Sequence, residues 1–167
     1  DNLLGSYQKK ASIIIAARPS DGKTTIMSNE VEDKAVRLGI PQAIVSVEMG
    51  EDQLRERIAC AMARVSSFRL RRKQATLDDI EKVERAYAKL AQAPIYITDS
   101  AYTMAEIEAF TIGVVAKYGV QQVWIDYLQL IKDGPRDRGK TRNDVVGGHS
   151  SAIKLLAKRL DIGTCAL

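Results

Sequence analysis

A β-branched run, Ile13-Ile14-Ile15, leads into Ala17-Arg18-Pro19-Ser20-Asp21-Gly22-Lys23-Thr24-Thr25, and this junction constrains the chain more than any other stretch. An apolar strand, a loop and then a helix is the setting in which successive backbone N–H groups converge on an anion, and the side chains match that task. Gly22 lets the backbone approach closely, the Lys23 ammonium can reach phosphate oxygens, and the Thr24 hydroxyl can serve a divalent cation. The pattern GxxxxGK[ST] has Ala17 at its first glycine, so that position must keep φ below zero, which alanine tolerates. The plain alternative, a glycine turn into a helix with an exposed lysine, leaves Gly22-Lys23-Thr24-Thr25 without a reason.

The remainder alternates between two periodicities. A strand is expected over Ser12 to Ala17 and a helix from about Lys23 to Leu38, with Ile26, Met27, Val31, Ala35 and Leu38 as its apolar face and Gly39 as its stop. A second strand, Gln42 to Val47, precedes Glu48-Met49-Gly50. Leu54, Ile58, Ala61, Met62 and Val65 then recur at helical spacing over Glu51 to Val65. Ser66 to Gln74 reads as basic and irregular. Thr76 and Thr103, each followed three residues later by an acid, open helices to about Ala93 and Tyr118 by the capping-box pattern. Ile95 to Ile97 and Val120 to Asp126 read as strands, 132–144 as a Gly, Pro, Arg and Lys loop, Val145 to Leu160 as a helix weakened at Gly147-Gly148, and Gly163 to Leu167 as a strand. Such alternation predicts an α/β fold with a mainly parallel sheet.

In such sheets ligands lie beyond the carboxyl ends of the strands, so acids ending separate strands converge. Asp126, closing Val123-Trp124-Ile125, is placed to hold water on a Mg²⁺ ion, and Glu48 to polarise a water in line with a γ-phosphate. Taken alone, each also fits a carboxylate capping or preceding the next turn. Composition is that of a globular chain, 46% hydrophobic and 28% charged with a formal charge of +4, which permits an anionic partner. No signal-peptide or membrane-span pattern is present, and Cys60 and Cys165, each in apolar surroundings, read as buried thiols, so a cytoplasmic location is expected. His149, the single histidine, has no second His or Cys nearby, which argues against a metal site or a Ser-His hydrolase.

Three blocks in this order, Ala16-Ala17-Arg18-Pro19-Ser20 with Gly22-Lys23-Thr24, then Val45-Ser46-Val47-Glu48-Met49, then Ile125-Asp126-Tyr127-Leu128-Gln129-Leu130, resemble the RecA-like motor domain of DnaB-type replicative helicases. Pro94 to Ile97 and Ile153 to Leu160 fit the same family. The resemblance implies a RecA-like P-loop NTPase core and an ATP-hydrolysing DNA helicase. Such a protein is usually a homohexamer translocating on single-stranded DNA in the primosome, with a primase and a helicase loader as partners. It implies that Ala17 to Thr25 bind ATP, that Lys23 and Thr24 take the phosphates and Mg²⁺, that Glu48 is the catalytic carboxylate, and that Asp126 is the ligand of the metal's water. Asp21 departs from the family, where an uncharged residue is common, and a carboxylate near a triphosphate should weaken binding unless it faces solvent.

Residues 1–11 read as a linker remnant and 12–167 as a motor domain incomplete at its C-terminal side, so weak hydrolysis and a mostly monomeric state are expected of this stretch alone. Arg136, Arg138, Lys140 and Arg142, in a glycine-containing loop with Lys132, suit phosphate tracking on DNA and by resemblance would face the channel of a ring. A solvated loop is the competing reading, as it is for Phe68-Arg69 with Arg71-Arg72-Lys73. Two other functions stay open: a RecA or RadA-like recombination ATPase, and an assembly module that binds nucleotide without turnover.

Overall fold

The computed structural model describes residues 9–16, 18, 22–132 and 141–167. Five strands, β1 (Ser12–Ile14), β2 (Gln42–Ser46), β3 (Ile95–Thr98), β4 (Gln122–Asp126) and β5 (Gly163–Ala166), form one sheet in the order β1-β5-β4-β2-β3. Every pairing among them is parallel, as the alternation of strands and helices requires. Every residue of β2 and β4 is buried, because helices cover both faces of the sheet.

Alternation along the strands divides the core in two. Ile44, Ile95, Trp124, Cys165 and Leu167 face one layer, where Met27, Val31, Leu54, Ile58 and Leu90 arrive from α1 (Lys23–Val31), α2 (Glu51–Ala63) and α4 (Leu77–Gln92). Ala43, Val45, Val123, Ile125 and Ala166 face the other, against Ile107 and Val114 of α5 (Met104–Tyr118) and Ile153 of α6 (Arg142–Leu160). Leu54 and Ile58, both fully buried, each contribute about 1.5–3 kcal/mol relative to exposure. Buried hydrogen bonding ties the central strands together as well, since Trp124 Nε1–H donates to Gln42 Oε1 at 3.1 Å.

Capping set most helix boundaries where the sequence placed them. Thr76 with Asp79 and Thr103 with Glu106 form complete capping boxes, and Gly119 closes α5 in the left-handed region with φ 66°. A third box, Thr141 with Asp144, starts α6 at Arg142, three residues before the expected start, and the helix runs through Gly147 and Gly148 at exposed positions. Two further departures have local causes. The first helix stops being α-helical at Val31 and continues as a π-helix over Glu32–Arg37, which leaves Leu38 52% exposed rather than on the core face. The basic segment expected to be irregular holds a short helix, α3 (Ser67–Arg71), because the Ser66 hydroxyl caps Arg69 N–H.

Candidate functional site

The carboxyl ends of β1, β2 and β4 open on one edge of the sheet, and Asp126 leaves β4 on the face of Trp124, which α1 covers. Gly22 ends the loop after β1 in the left-handed region, φ 87°, a conformation that only glycine adopts without strain, and its carbonyl accepts the Ile26 N–H at 3.1 Å. Lys23 and Thr24 follow in the first turn of α1. The Lys23 ammonium stands 5.1 Å from the centroid of the Tyr127 ring, held by the aromatic face and paired with no carboxylate among the described residues. Thr25 is exposed, and Arg18 is exposed at the loop entrance. Ala17, Pro19, Ser20 and Asp21 lie outside the described residues, so the φ expected of Ala17 and the direction of the Asp21 carboxylate lie there too.

Asp126 ends β4 and is only 2% exposed. The Thr24 hydroxyl donates to Asp126 Oδ2 at 3.3 Å, joining residues 102 positions apart in sequence. Burial is the main force raising the Asp126 carboxyl above its ordinary range, and the negative charge of Glu48 adds to it. The Thr24 hydroxyl and the positive charges of Lys23 and Arg57 pull the other way. Two hard oxygens side by side, one of them on a carboxylate whose negative charge is disfavoured where it sits, fit a Mg²⁺ ion, which takes one or two protein ligands and leaves its other positions to phosphates and water. Among the described residues no group of three or more His, Cys, Asp or Glu could enclose a metal by itself.

Glu48 lies two residues past Ser46, the register partner of Asp126, and is exposed at the mouth of the site. The turn that carries it is firmly held. Val47 N–H donates to the Asp126 carbonyl at 2.7 Å, the Ser46 hydroxyl donates to the Met49 carbonyl at 2.7 Å, and Met49 N–H returns to that hydroxyl at 3.3 Å. Two side chains that sequence reasoning passed over complete the corner. Asp99, just past β3, accepts the Glu51 N–H at 2.9 Å, and Arg57 of α2 brings Nη1 to 3.3 Å from Met49 Sδ. The rule that singled out Glu48 and Asp126, an acid at a strand end, applies equally to Asp99. No sequence spacing points to Arg57, because its reach back along the helix is a matter of rotamer.

Of the basic residues expected to contact DNA, Arg136, Arg138 and Lys140 lie outside the described residues. Arg142 is not in a loop but in the first turn of α6, exposed, with its guanidinium donating to the Gln129 carbonyl. The approach to the loop is anchored where Lys132 N–H donates to the Tyr102 carbonyl at 2.7 Å. In the other basic cluster, Arg71 pairs with Glu56 at 3.0 Å, Arg69 with Asp79 at 3.4 Å, and Arg72 stacks on Phe68, so its guanidiniums are used within the fold. A cleft of about 950 Å³ lies near the far ends of α1 and α4, lined by Val36, Met62, Ala86 and Ala93. It contains none of the residues just described, and its mixed charged rim offers no comparable chemistry.

Known proteins resemble this chain in sequence and in fold. Residues 1–167 match the family described as the DnaB-like helicase C-terminal domain. The chain is 33% identical over 168 residues to the replicative DNA helicase DnaB of Geobacillus stearothermophilus and equally to the replicative DNA helicase DnaC of Bacillus subtilis. In both cases all of this chain is covered but only 37% of the relative, so it spans little more than a third of their length. Among solved structures, a DnaB-like replicative helicase described with its primase interactions superposes with a TM-score of 0.86 at 25% identity, over 96% of this chain and 39% of that one. A second solved structure, described as an ATPase domain, gives 0.85 at 26% identity, over 96% of this chain and 57% of that one. A KaiC-like protein from Pyrococcus horikoshii, 16% identical with a TM-score of 0.64, shares the fold.

Proposed function

This chain belongs to the DnaB-like helicase C-terminal domain family, and on that footing we propose that it is the ATP-hydrolysing motor of a replicative DNA helicase. Residues 12–167 are the motor. The observation that carries the reading is the contact of the Thr24 hydroxyl with Asp126, which puts a hydroxyl and a carboxylate together at the first turn of α1, next to Gly22.

The Ala17 to Thr25 segment cradles the triphosphate of ATP through the backbone N–H groups of its residues other than Pro19, and the Lys23 ammonium neutralises its β and γ oxygens. Over Tyr127, it has no carboxylate among the described residues to give up when phosphate arrives. Mg²⁺, when bound, offsets phosphate charge, with Thr24 as its protein ligand and Asp126 holding one of its waters. Glu48, on the same edge but in contact with solvent, accepts the proton of the attacking water. Work from hydrolysis drives translocation along single-stranded DNA, gripped by Arg136, Arg138, Lys140 and Arg142 in a homohexameric ring that meets a primase and a loader. The relatives' roles in replication and the primase interaction of the structural neighbour support that assignment.

Two variants of the full-length protein test the site. Lys23→Ala should lose ATP binding in a fluorescent-nucleotide titration, whereas Glu48→Gln should keep it and slow hydrolysis by about two to four orders of magnitude. An unchanged dissociation constant in the first rejects the phosphate loop, and a parent rate in the second rejects Glu48 as the base.

A further inference from the structure

We propose that Asp99 is a positioning residue for Glu48: from the end of β3 it fixes the corner on which that carboxylate rides. The proposal rests on the reading of Glu48 as the base. Helix α2 begins with an unfilled cap. Gly50, its N-cap, has no side chain to offer the first N–H groups of the helix, and each such group left alone in a partly buried place is costly. Asp99 fills the role from 48 positions away, its Oδ2 2.9 Å from Glu51 N, and a carboxylate there also suits the positive end of the helix. The same oxygen lies 3.7 Å from where a Cβ on Gly50 would sit, so the carboxylate packs against the corner itself.

The corner has little other freedom. Ser46 grips the Met49 peptide on both sides, at 2.7 and 3.3 Å, and Arg57 rests against the Met49 sulfur. On the β4 side, Val47 N–H holds the Asp126 carbonyl at 2.7 Å. Among the described residues, Asp99 is therefore the side chain that braces the corner from β3, the strand on the other side of β2 from β4. Without it the N-terminus of α2 loses its tie to the end of β3, and Glu48, three residues before Glu51, keeps the Val47 and Ser46 contacts but loses the brace on the helix side of the corner. A reacting group misplaced by about 1 Å can lose on the order of 100-fold in rate with binding intact.

In the full-length protein, Asp99→Ala should lower kcat for ATP hydrolysis on the order of 10- to 100-fold while leaving the Kd for a non-hydrolysable ATP analogue within about twofold. Asp99→Asn, whose amide oxygen still accepts from Glu51, should stay near the parent rate. The decisive comparison is in the Glu48→Gln background, where Asp99→Ala should cost nothing further, because a residue that acts through Glu48 has nothing left to position. Should Asp99→Ala not fold, Asp99→Glu carries the test: it keeps the charge, displaces the acceptor by one methylene, and should also lose rate. A parent rate in Asp99→Ala or Asp99→Glu, or an equal loss in both backgrounds, overturns the proposal. A parent rate in Glu48→Gln alone overturns the assignment of the base and, with it, any need for a brace.

Discussion

Replacing Gln42 by Leu tests how the two strands that carry the acidic residues are held in register. Gln42 is 1% exposed and Trp124 fully buried, and the 3.1 Å bond between them crosses from β2 to β4 on the face that ends at Ser46 and Asp126. Leucine matches the glutamine closely in volume, so the change removes the acceptor with little alteration in packing. Taking away the acceptor of a buried N–H costs about 1–3 kcal/mol. For a chain of this size each kcal/mol moves Tm by about 2–4 °C. Trp124 is the sole tryptophan, so its emission reports on the site of the change without a label, and it should move to shorter wavelength as the indole N–H loses the Gln42 acceptor. Thermal melts by circular dichroism supply the energy. Trp124→Phe in the same background should recover part of the loss, since removing both partners of a buried bond costs less than removing one. A Gln42→Leu chain that melts within a degree of the parent, with unshifted emission, would refute the view that this bond clamps β2 to β4.

Asp126→Asn should alter the pH dependence of stability in metal-free buffer. A carboxyl held above its ordinary range binds its proton more tightly folded than unfolded. Stability is therefore lost as pH rises from about 4 through the raised value, and it stays lost above it. Asparagine removes that penalty, so urea midpoints should favour the variant at pH 7, with the advantage gone below about pH 4; a parent that gains stability through this range relative to the variant would reverse the sign. Replacing Arg136, Arg138, Lys140 and Arg142 by Ala in the full-length protein should weaken single-stranded DNA binding and reduce its salt slope by about 0.7 for each phosphate that the protein ceases to neutralise. An unchanged slope in fluorescence anisotropy returns that segment to a solvated surface.

What was legible in the sequence is what local chemistry decides. The capping boxes at Thr76 and Thr103 are visible because the two partners stand three residues apart, and the parallel sheet follows because strands alternate with helices. The expectation that Glu48 and Asp126 end strands at one edge needed only those two facts. The π-helical end of α1 was not legible: Glu32–Arg37 has an ordinary helical composition, and the departure shows only in the backbone bonding, as where Leu38 N–H reaches the Asp33 carbonyl five residues back at 3.2 Å. Nor was the start of α6, although Thr141 and Asp144 have the same spacing as the other boxes, because that box falls at the end of 132–144, whose Gly, Pro, Arg and Lys composition reads as a loop.

The corner that carries Glu48 shows the limit most sharply. Sequence marks Glu48-Met49-Gly50 as a strand end followed by a helix, and a glycine N-cap reads there as an adequate if undistinguished start. Nothing local says that its missing acceptor comes from Asp99. That follows only once β3 pairs with β2 in a register that puts Thr98 beside Val45, which carries the next residue of β3 to the level of the corner. Register depends in turn on the burial of Ile95 and Ile44 on a common face, a property of the whole sheet. Acids at strand ends are thus visible one at a time, but where each of them faces is decided by strand order. Here β4 supplies the carboxylate beside Thr24, β2 the exposed one, and β3 the one turned onto a helix N–H.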